Sequence, residues 1–309
     1  MEYAYVTLIA AALWGTAAGV LVPRPAYRMS VEPEEAWRAA CPAGHPITGP
    51  ARGWLGTARC AGCAASHPPV PAVASRPAVV SEPNAADEPS AADEPGGADG
   101  PGGADGPGGA DGPGGADGPE GAGTRGTAAY RQSFLVPSAT ALACAALAAA
   151  VGPRPELAVW LLLVPVAVLL ALVDRNVHRL PDQLTLPLAA AAAVLLGGAA
   201  LLPGAGGSWT TALLGGPVLG AAYLVLFLVN PNGMGFGDVK LALSLGVALG
   251  WYGWEVLFVG AFAGFLLGAV YGLGLIVLRG AGRDTAIPFG PFMISGTLIG
   301  LLLGALTSG

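Results

Sequence analysis

From about residue 133 to its end the chain is a close succession of apolar runs separated by short loops, and this pattern constrains the fold most. The runs lie at roughly 133–151, 156–173, 184–202, 209–229, 239–251, 254–278 and 286–306, and an eighth, Ala4 to Val22, stands at the N-terminus. A bilayer core about 30 Å thick is crossed by about 20 apolar helical residues. Within lipid such segments must satisfy their own backbone hydrogen bonds, which a helix does along its length. With only 11% charged residues the chain has too little charge to coat a soluble globule of this size. The expected fold is an all-α polytopic membrane protein with about eight transmembrane helices, of which 239–251 is short for a full crossing.

The basic residues orient these spans. The segment before Ala4 holds Glu2 and no Lys or Arg, whereas Arg24 and Arg28 follow the first run. A secretory signal has the opposite arrangement, so residues 1–22 read as a retained anchor with the N-terminus outside. In that topology every one of the 14 Lys and Arg residues except Arg154 falls on the inner side. That skew is what the positive-inside rule demands of a correct span count.

Between the first span and the rest lie two different segments. Residues 23–67 form a small cytoplasmic stretch carrying Cys41, Cys60 and Cys63, and too short to build much core alone. A C-x-x-C spacing on the inner side points to metal or redox chemistry, whereas Cys144, inside an apolar run, reads as a small buried residue. Residues 68–129 are rich in Pro, Gly, Ala and acid, with Gly-Gly-Ala-Asp-Gly-Pro repeated from Gly96 to Pro119. With almost nothing to bury, this linker is expected to be disordered. It also holds ten of the 20 acids, between Glu82 and Glu120, so the net charge of −6 describes the linker and implies no nucleic-acid partner. The remaining 130–309 form a seven-helix membrane domain, with the lipid bilayer as partner.

Two acids stand at the inner edge of the predicted spans. Asp174 follows the run Leu161 to Val173, and Asp238 ends Gly233-Met-Gly-Phe-Gly-Asp238. Charged groups bordering a span are costly unless paired, hydrated or functional. Two carboxylates on one side of a membrane suit aspartyl-protease chemistry, in which one takes a proton from water and the other, protonated, polarises the scissile carbonyl. Asp238, expected near a helix N-terminus, is assigned as the ionised base and Asp174, near a helix C-terminus, as the acid. Gly233, Gly235 and Gly237 are expected to permit positive φ and close approach of a substrate strand. The alternative at Asp238 is an ordinary N-cap. From a different class, a proton-coupled transporter would also place titrating acids in a membrane domain.

Four stretches carry a resemblance. Ala171-Leu-Val-Asp174, Leu180-Pro-Asp182-Gln-Leu-Thr-Leu-Pro187, Gly235-Phe-Gly-Asp238-Val-Lys240 and Ile287-Pro-Phe-Gly-Pro-Phe292 are similar in order and spacing to the signatures of bacterial prepilin peptidases, the type IV leader peptidase family. The resemblance implies an aspartic endopeptidase that removes a short basic leader from prepilins or pseudopilins at the cytoplasmic face of the inner membrane. It implies Asp174 and Asp238 as the catalytic pair, without a cofactor for proteolysis; Gly235 and Gly237 are read as substrate-approach positions, and Pro288 and Gly290 either shape the substrate groove or form a helix entry turn. Asp182 is a rival for the first role, its alternative being a cap for the next helix. Lys240 either tunes a carboxylate or snorkels, and His178 is either a proton relay or a solvated loop residue.

Many members of this family carry two C-x-x-C pairs after the first span and also N-methylate the new terminus with S-adenosylmethionine. Here Cys60-Ala-Gly-Cys63 is intact, but the other pair is reduced to Cys41-Pro-Ala-Gly44. A structural zinc on Cys41, Cys60 and Cys63 needs a fourth ligand, for which His45 and His67 are both candidates.

Overall fold

The computed structural model describes residues 2–32, 35–66, 133–231, 233–279 and 287–308. The linker expected at 68–129, together with His67, lies outside them.

Each of the eight apolar runs is a helix. The first, α1 (Glu2–Leu21), is followed by a short α2 (Pro23–Met29), a one-turn α3 (Pro50–Gly53) and α4 (Ala61–Ser66). The membrane domain contains α5 (Leu135–Val151), α6 (Glu156–Val177), α7 (Asp182–Ala200), α8 (Trp209–Val229), α9 (Phe236–Gly250), α10 (Trp254–Arg279) and α11 (Gly290–Thr307). Six helical segments are long and apolar enough to cross a membrane, α1 and α2 together counting as one, while α5 is a shorter apolar helix. The eighth, α9, has 15 residues. Among the described residues there is no strand, only an isolated bridge between Ala40 and Pro46.

Three boundaries differ from the sequence pattern in ways that matter. Apolar content ends at Val173, but α6 continues to Val177, so Asp174 is inside the helix. The helix α9 begins at Phe236, which puts Asp238 in its first turn. The last helix begins at Gly290, past the predicted 286. Hydropathy marks where lipid-compatible side chains stop, whereas backbone hydrogen bonding carries a helix on into polar residues.

The short α9 is the centre of the domain. It packs against α7, α8, α10 and α11, and every residue from Ser244 to Gly250 is buried. Shielded on so many sides, it does not meet lipid as an isolated span would. Its closest seam, with α8, is made of glycine. A methyl added to Gly246 would run into the carbonyl of Gly215, and one on Gly250 would lie 2.6 Å from the carbonyl oxygen of Thr211. Without a hydrophobic force to join helices in lipid, such small-residue contact supplies the van der Waals packing. Outer faces carry the bulky apolar groups, among them Val225, Phe262 and Val277, as lipid-facing helices do.

The polar segment after α1 is anchored by the arginines that fixed the predicted orientation. Arg24 donates to the carbonyls of Leu55 and Thr48 at 2.7 and 2.6 Å. Arg28 donates to those of Arg38 and Arg52, both at 3.0 Å, with its guanidinium over the Trp54 ring. Both side chains are buried, so they do more than mark a membrane side.

Replacing Gly246 by Val is expected to force α8 and α9 apart, with a destabilisation of about 1–3 kcal/mol, typical of overpacking a tight interior. A thermal unfolding midpoint in detergent equal to the wild type would show that the seam relaxes freely.

Candidate active site

Asp174 lies in the last turn of α6. The helix stops because His178 takes a left-handed conformation, φ 51°, and its N–H returns to the Asp174 carbonyl at 2.7 Å. The Asp174 side chain is 4% exposed, and its Oδ2 accepts the backbone N–H of Gly290 at 2.9 Å. Gly290 is the first residue of α11, where N–H groups have no partner inside the helix and carry partial positive charge. A carboxylate docked there satisfies a donor that would otherwise be buried and unpaired. A Cβ on Gly290 would lie 2.8 Å from that same Oδ2, so glycine is required for the contact. The Ile287–Phe292 stretch, without a titratable group, therefore acts through its backbone.

Asp238 is the third residue of α9 and 7% exposed. The N-cap position belongs to Gly235, whose carbonyl accepts the Asp238 N–H at 3.1 Å, so the capping alternative does not describe Asp238. None of Gly233, Gly235 and Gly237 has a positive φ. At Gly237 the need is for space: a Cβ there would lie 3.1 Å from Cβ of Leu180, in the α6–α7 loop, whereas one on Gly235 would meet only ordinary contact, 3.5 Å from Oδ2 of Asp238. Glycine here lets the start of α9 press against the loop that follows Asp174.

The two acids, far apart in sequence, line one cleft of about 490 Å³. They are close enough for the charge of Asp174 to act on Asp238. Gly235, Gly237 and Pro288 also line this cleft, whereas Gly290 is buried behind Asp174. Beside it stands Tyr223, which no motif or spacing singled out. It is buried, stacks on Phe265 with centroids 5.3 Å apart, lies 6.3 Å from the Phe289 ring, and interacts electrostatically with Asp238. Phe289 directly precedes Gly290, so this aromatic group braces the turn that reaches Asp174.

The rim is charged. Asp182 is the first residue of α7, makes no capping hydrogen bond, and pairs with Lys240 at 2.6 Å. The pair joins α7 to α9, with the side chains 61% and 19% exposed, and Lys240 also sits 4.9 Å from the centre of the Phe236 ring. Lys240 is thus engaged within the protein. His178 lines the cleft as well, and its charge acts on Asp174.

A second cluster lies in the segment after α2. The ligand atoms of Cys41, His45, Cys60 and Cys63 all lie within 4.8 Å of one another, an arrangement that could hold a metal ion. Cys41 Sγ is 3.7 Å from both His45 Nδ1 and Cys63 Sγ, and Cys63 Sγ is 3.4 Å from His45 Nδ1. The turn that brings His45 round is closed by Gly44 at φ 81°, with Cys41 N–H bonded to the His45 carbonyl at 2.9 Å. All four cysteines are free thiols. Burial raises the Cys41 thiol, but N–H groups of Ala43 and His45 with contacts to Cys60 and His45 outweigh it and lower it to about 6. Cys63 is pushed up to about 11 by its contact with Cys41, by burial and by Cys60. Three cysteine sulfurs and one imidazole nitrogen are a donor set that zinc takes, the thiols losing their protons on binding.

Residues 161–273 match the model of the type IV leader peptidase family. This stretch is similar to type IV leader peptidases; it contains both cleft acids and ends before the Gly290 turn. Among similar proteins are prepilin leader peptidase/N-methyltransferases of Aeromonas salmonicida, 38% identical over 180 residues, and Pseudomonas aeruginosa, 34% identical over 175. Each alignment covers 55% of this chain, with 57% and 58% of the relative. A Bacillus subtilis protein of the same name is 28% identical over 182 residues, covering 57% of this chain and 68% of its own length. The chain thus spans little more than half the length of the first two. No solved structure matches.

The exposed Lys240–Asp182 pair should add little to stability. Lys240→Met is expected to change it by no more than about 1 kcal/mol, as for other solvent-screened pairs. A fall of many degrees in the unfolding midpoint would instead make the pair an anchor of α7 on α9.

Proposed function

We propose that the protein is an aspartic endopeptidase that removes leader peptides from type IV prepilins or pseudopilins at the cytoplasmic face of the inner membrane. Asp174 and Asp238 are its catalytic residues. The observation that carries this reading is the convergence of two buried carboxylates, from the end of α6 and the start of α9, in one cleft. A proton-coupled transporter would place such acids near the bilayer midplane, at the interface of an internal repeat. Here Asp174 stands three residues from the end of its helix and Asp238 two from the start of its own.

Two neighbouring carboxylates share a proton more readily than they both ionise, and their titrations belong to the pair. With a peptide in the cleft, the ionised member takes a proton from a water as that water attacks the carbonyl carbon. The protonated member donates to the carbonyl oxygen. The Gly290 N–H fixes Oδ2 of Asp174 as an acceptor, so a proton carried by Asp174 sits on Oδ1. Holding one oxygen fixes the carboxyl plane, and reacting groups need that placement to a fraction of an ångström.

The Cys/His cluster is proposed to hold one structural zinc through Cys41, His45, Cys60 and Cys63. The ion completes a closed four-ligand site and contributes folding energy to a segment with little core of its own.

Co-expression with a prepilin tests the main reading. Asp174→Asn and Asp238→Asn, which keep size and remove the titration, should each leave the leader uncleaved on a gel. Cleavage at the wild-type rate by either variant excludes the pair. Gly290→Ala should lower turnover by about tenfold or more, equivalent to about 1.4 kcal/mol of lost transition-state stabilisation. Unchanged turnover would show that the α11 turn does not position Asp174. Purified chain should contain one zinc per polypeptide by elemental analysis and lose it in Cys60→Ser. A protein free of zinc after growth in zinc-replete medium counts against the metal site. Adding S-adenosylmethionine to the cleavage assay reads the second activity in the relatives' names, as a methylated new N-terminus.

A further inference from the structure

The helix α2 touches both candidate sites through opposite faces. One face grips the metal-site segment, where Arg24 and Arg28 donate to the carbonyls of Thr48, Leu55, Arg38 and Arg52. Beside them the Tyr27 hydroxyl donates to the Ala40 carbonyl at 3.1 Å, one residue before Cys41. Gly49 and Gly56, at φ 144° and 132°, fold the chain around the Arg24 guanidinium. The arginines' partners here are loop carbonyls. They point inward only while the loop between Arg38 and Cys63 is folded, and the four metal-site side chains tie that loop together.

The other face of α2 packs on the helix that carries Asp174. Val22 and Ala26 share a buried cluster with Leu169 and Val173. Ser30, the C-cap residue of α2, is fully buried. Its hydroxyl donates to the Ala26 carbonyl at 2.7 Å and accepts from Asn176 Nδ2 at 3.1 Å. Asn176 is two residues past Asp174 and two before the left-handed His178 that ends α6. The last turn of α6 is thus held from two directions, by Gly290 on Asp174 and by Ser30 on Asn176.

We infer that Ser30 and Asn176 are positioning residues of the proposed peptidase, forming the strut through which the Cys/His segment holds the Asp174 end of α6. The inference rests on the peptidase reading for its effect on turnover and on the zinc reading for its response to chelation; the strut itself is a property of α2 and α6. When the segment loosens, its carbonyls leave Arg24 and Arg28, α2 loses one of its two supports, and the last turn of α6 frays at the Asn176 side. Asp174 then departs from the geometry set by Gly290, which slows the chemical step without removing the cleft that binds substrate.

The test uses the full-length protein in detergent, as wild type, Asn176→Leu, Ser30→Ala and the double variant, each with zinc and after a zinc chelator. Two readouts are taken: hydrogen exchange of peptides covering 170–178, and kcat with KM on a leader-peptide substrate. Chelation should speed exchange at 174–178 in the wild type. Asn176→Leu should show that faster exchange with zinc present, and chelation should add little to it. Its kcat should fall about fivefold, what one hydrogen bond is worth, with KM nearly unchanged. The double variant should be no worse than either single one, because both remove the same contact. Multiplying effects of chelation and substitution, or unchanged exchange in Asn176→Leu, overturn the strut. If the exchange pattern appears but the wild type does not cleave, the peptidase reading fails and the strut stands. If the wild type cleaves and exchange at 174–178 in Asn176→Leu equals the wild type's, the strut alone fails; if Asn176→Leu exchanges faster but chelation changes nothing in the wild type, the zinc link fails and the Ser30–Asn176 contact stands.

Discussion

A buried carboxylate meeting the open end of a helix organises this protein. Asp174 is nearly out of solvent, a position a charged group tolerates only with compensation. Its compensation is the Gly290 N–H, a donor that α11 cannot satisfy internally. The bond ties the end of α6 to the start of α11, 116 residues later in the chain. It forces glycine at one position and leaves a single oxygen of Asp174 committed. Phe289, packed with Tyr223 and Phe265, keeps the turn from drifting.

The second acid depends on a different kind of contact. Asp238 is placed by α9, and α9 is placed by the absence of side chains. Gly246 and Gly250 let it approach α8 to backbone contact, and Gly237 lets its first turn press on Leu180. Leu180 belongs to the loop that follows Asp174, so glycine packing sets the distance between the two catalytic candidates. In lipid, where helix association gains nothing from hiding apolar surface from water, close backbone approach is an available source of such precision.

The segment after α1 repeats this economy with polar groups. Arg24 and Arg28 directly follow the first apolar helix, where basic residues are expected for topological reasons. The structure uses the same side chains to fold a loop with almost no hydrophobic core, through carbonyl acceptors and the Trp54 face. His45 completes the donor set that Gly44 left without its second cysteine. A histidine one residue later reaches the same centre because Gly44 turns the chain sharply at φ 81°.

Sequence alone determined the helical class, the eight apolar segments and the two acids. These follow from local quantities: the length of apolar runs, the placement of Lys and Arg, and charges that lipid does not tolerate without reason. It marked the Gly235–Asp238 and Ile287–Phe292 stretches, but the positive φ expected of the first is absent, and the N–H that Gly290 donates to Asp174 was not foreseen. Tertiary structure alone decided the Asp174–Gly290 bond, the Asp182–Lys240 pair, the approach of His45 to the three cysteines, the place of Tyr223 and the link from Ser30 to Asn176. Each depends on which atoms of distant segments come within a few ångströms, and hydropathy and spacing along one chain contain no such distances.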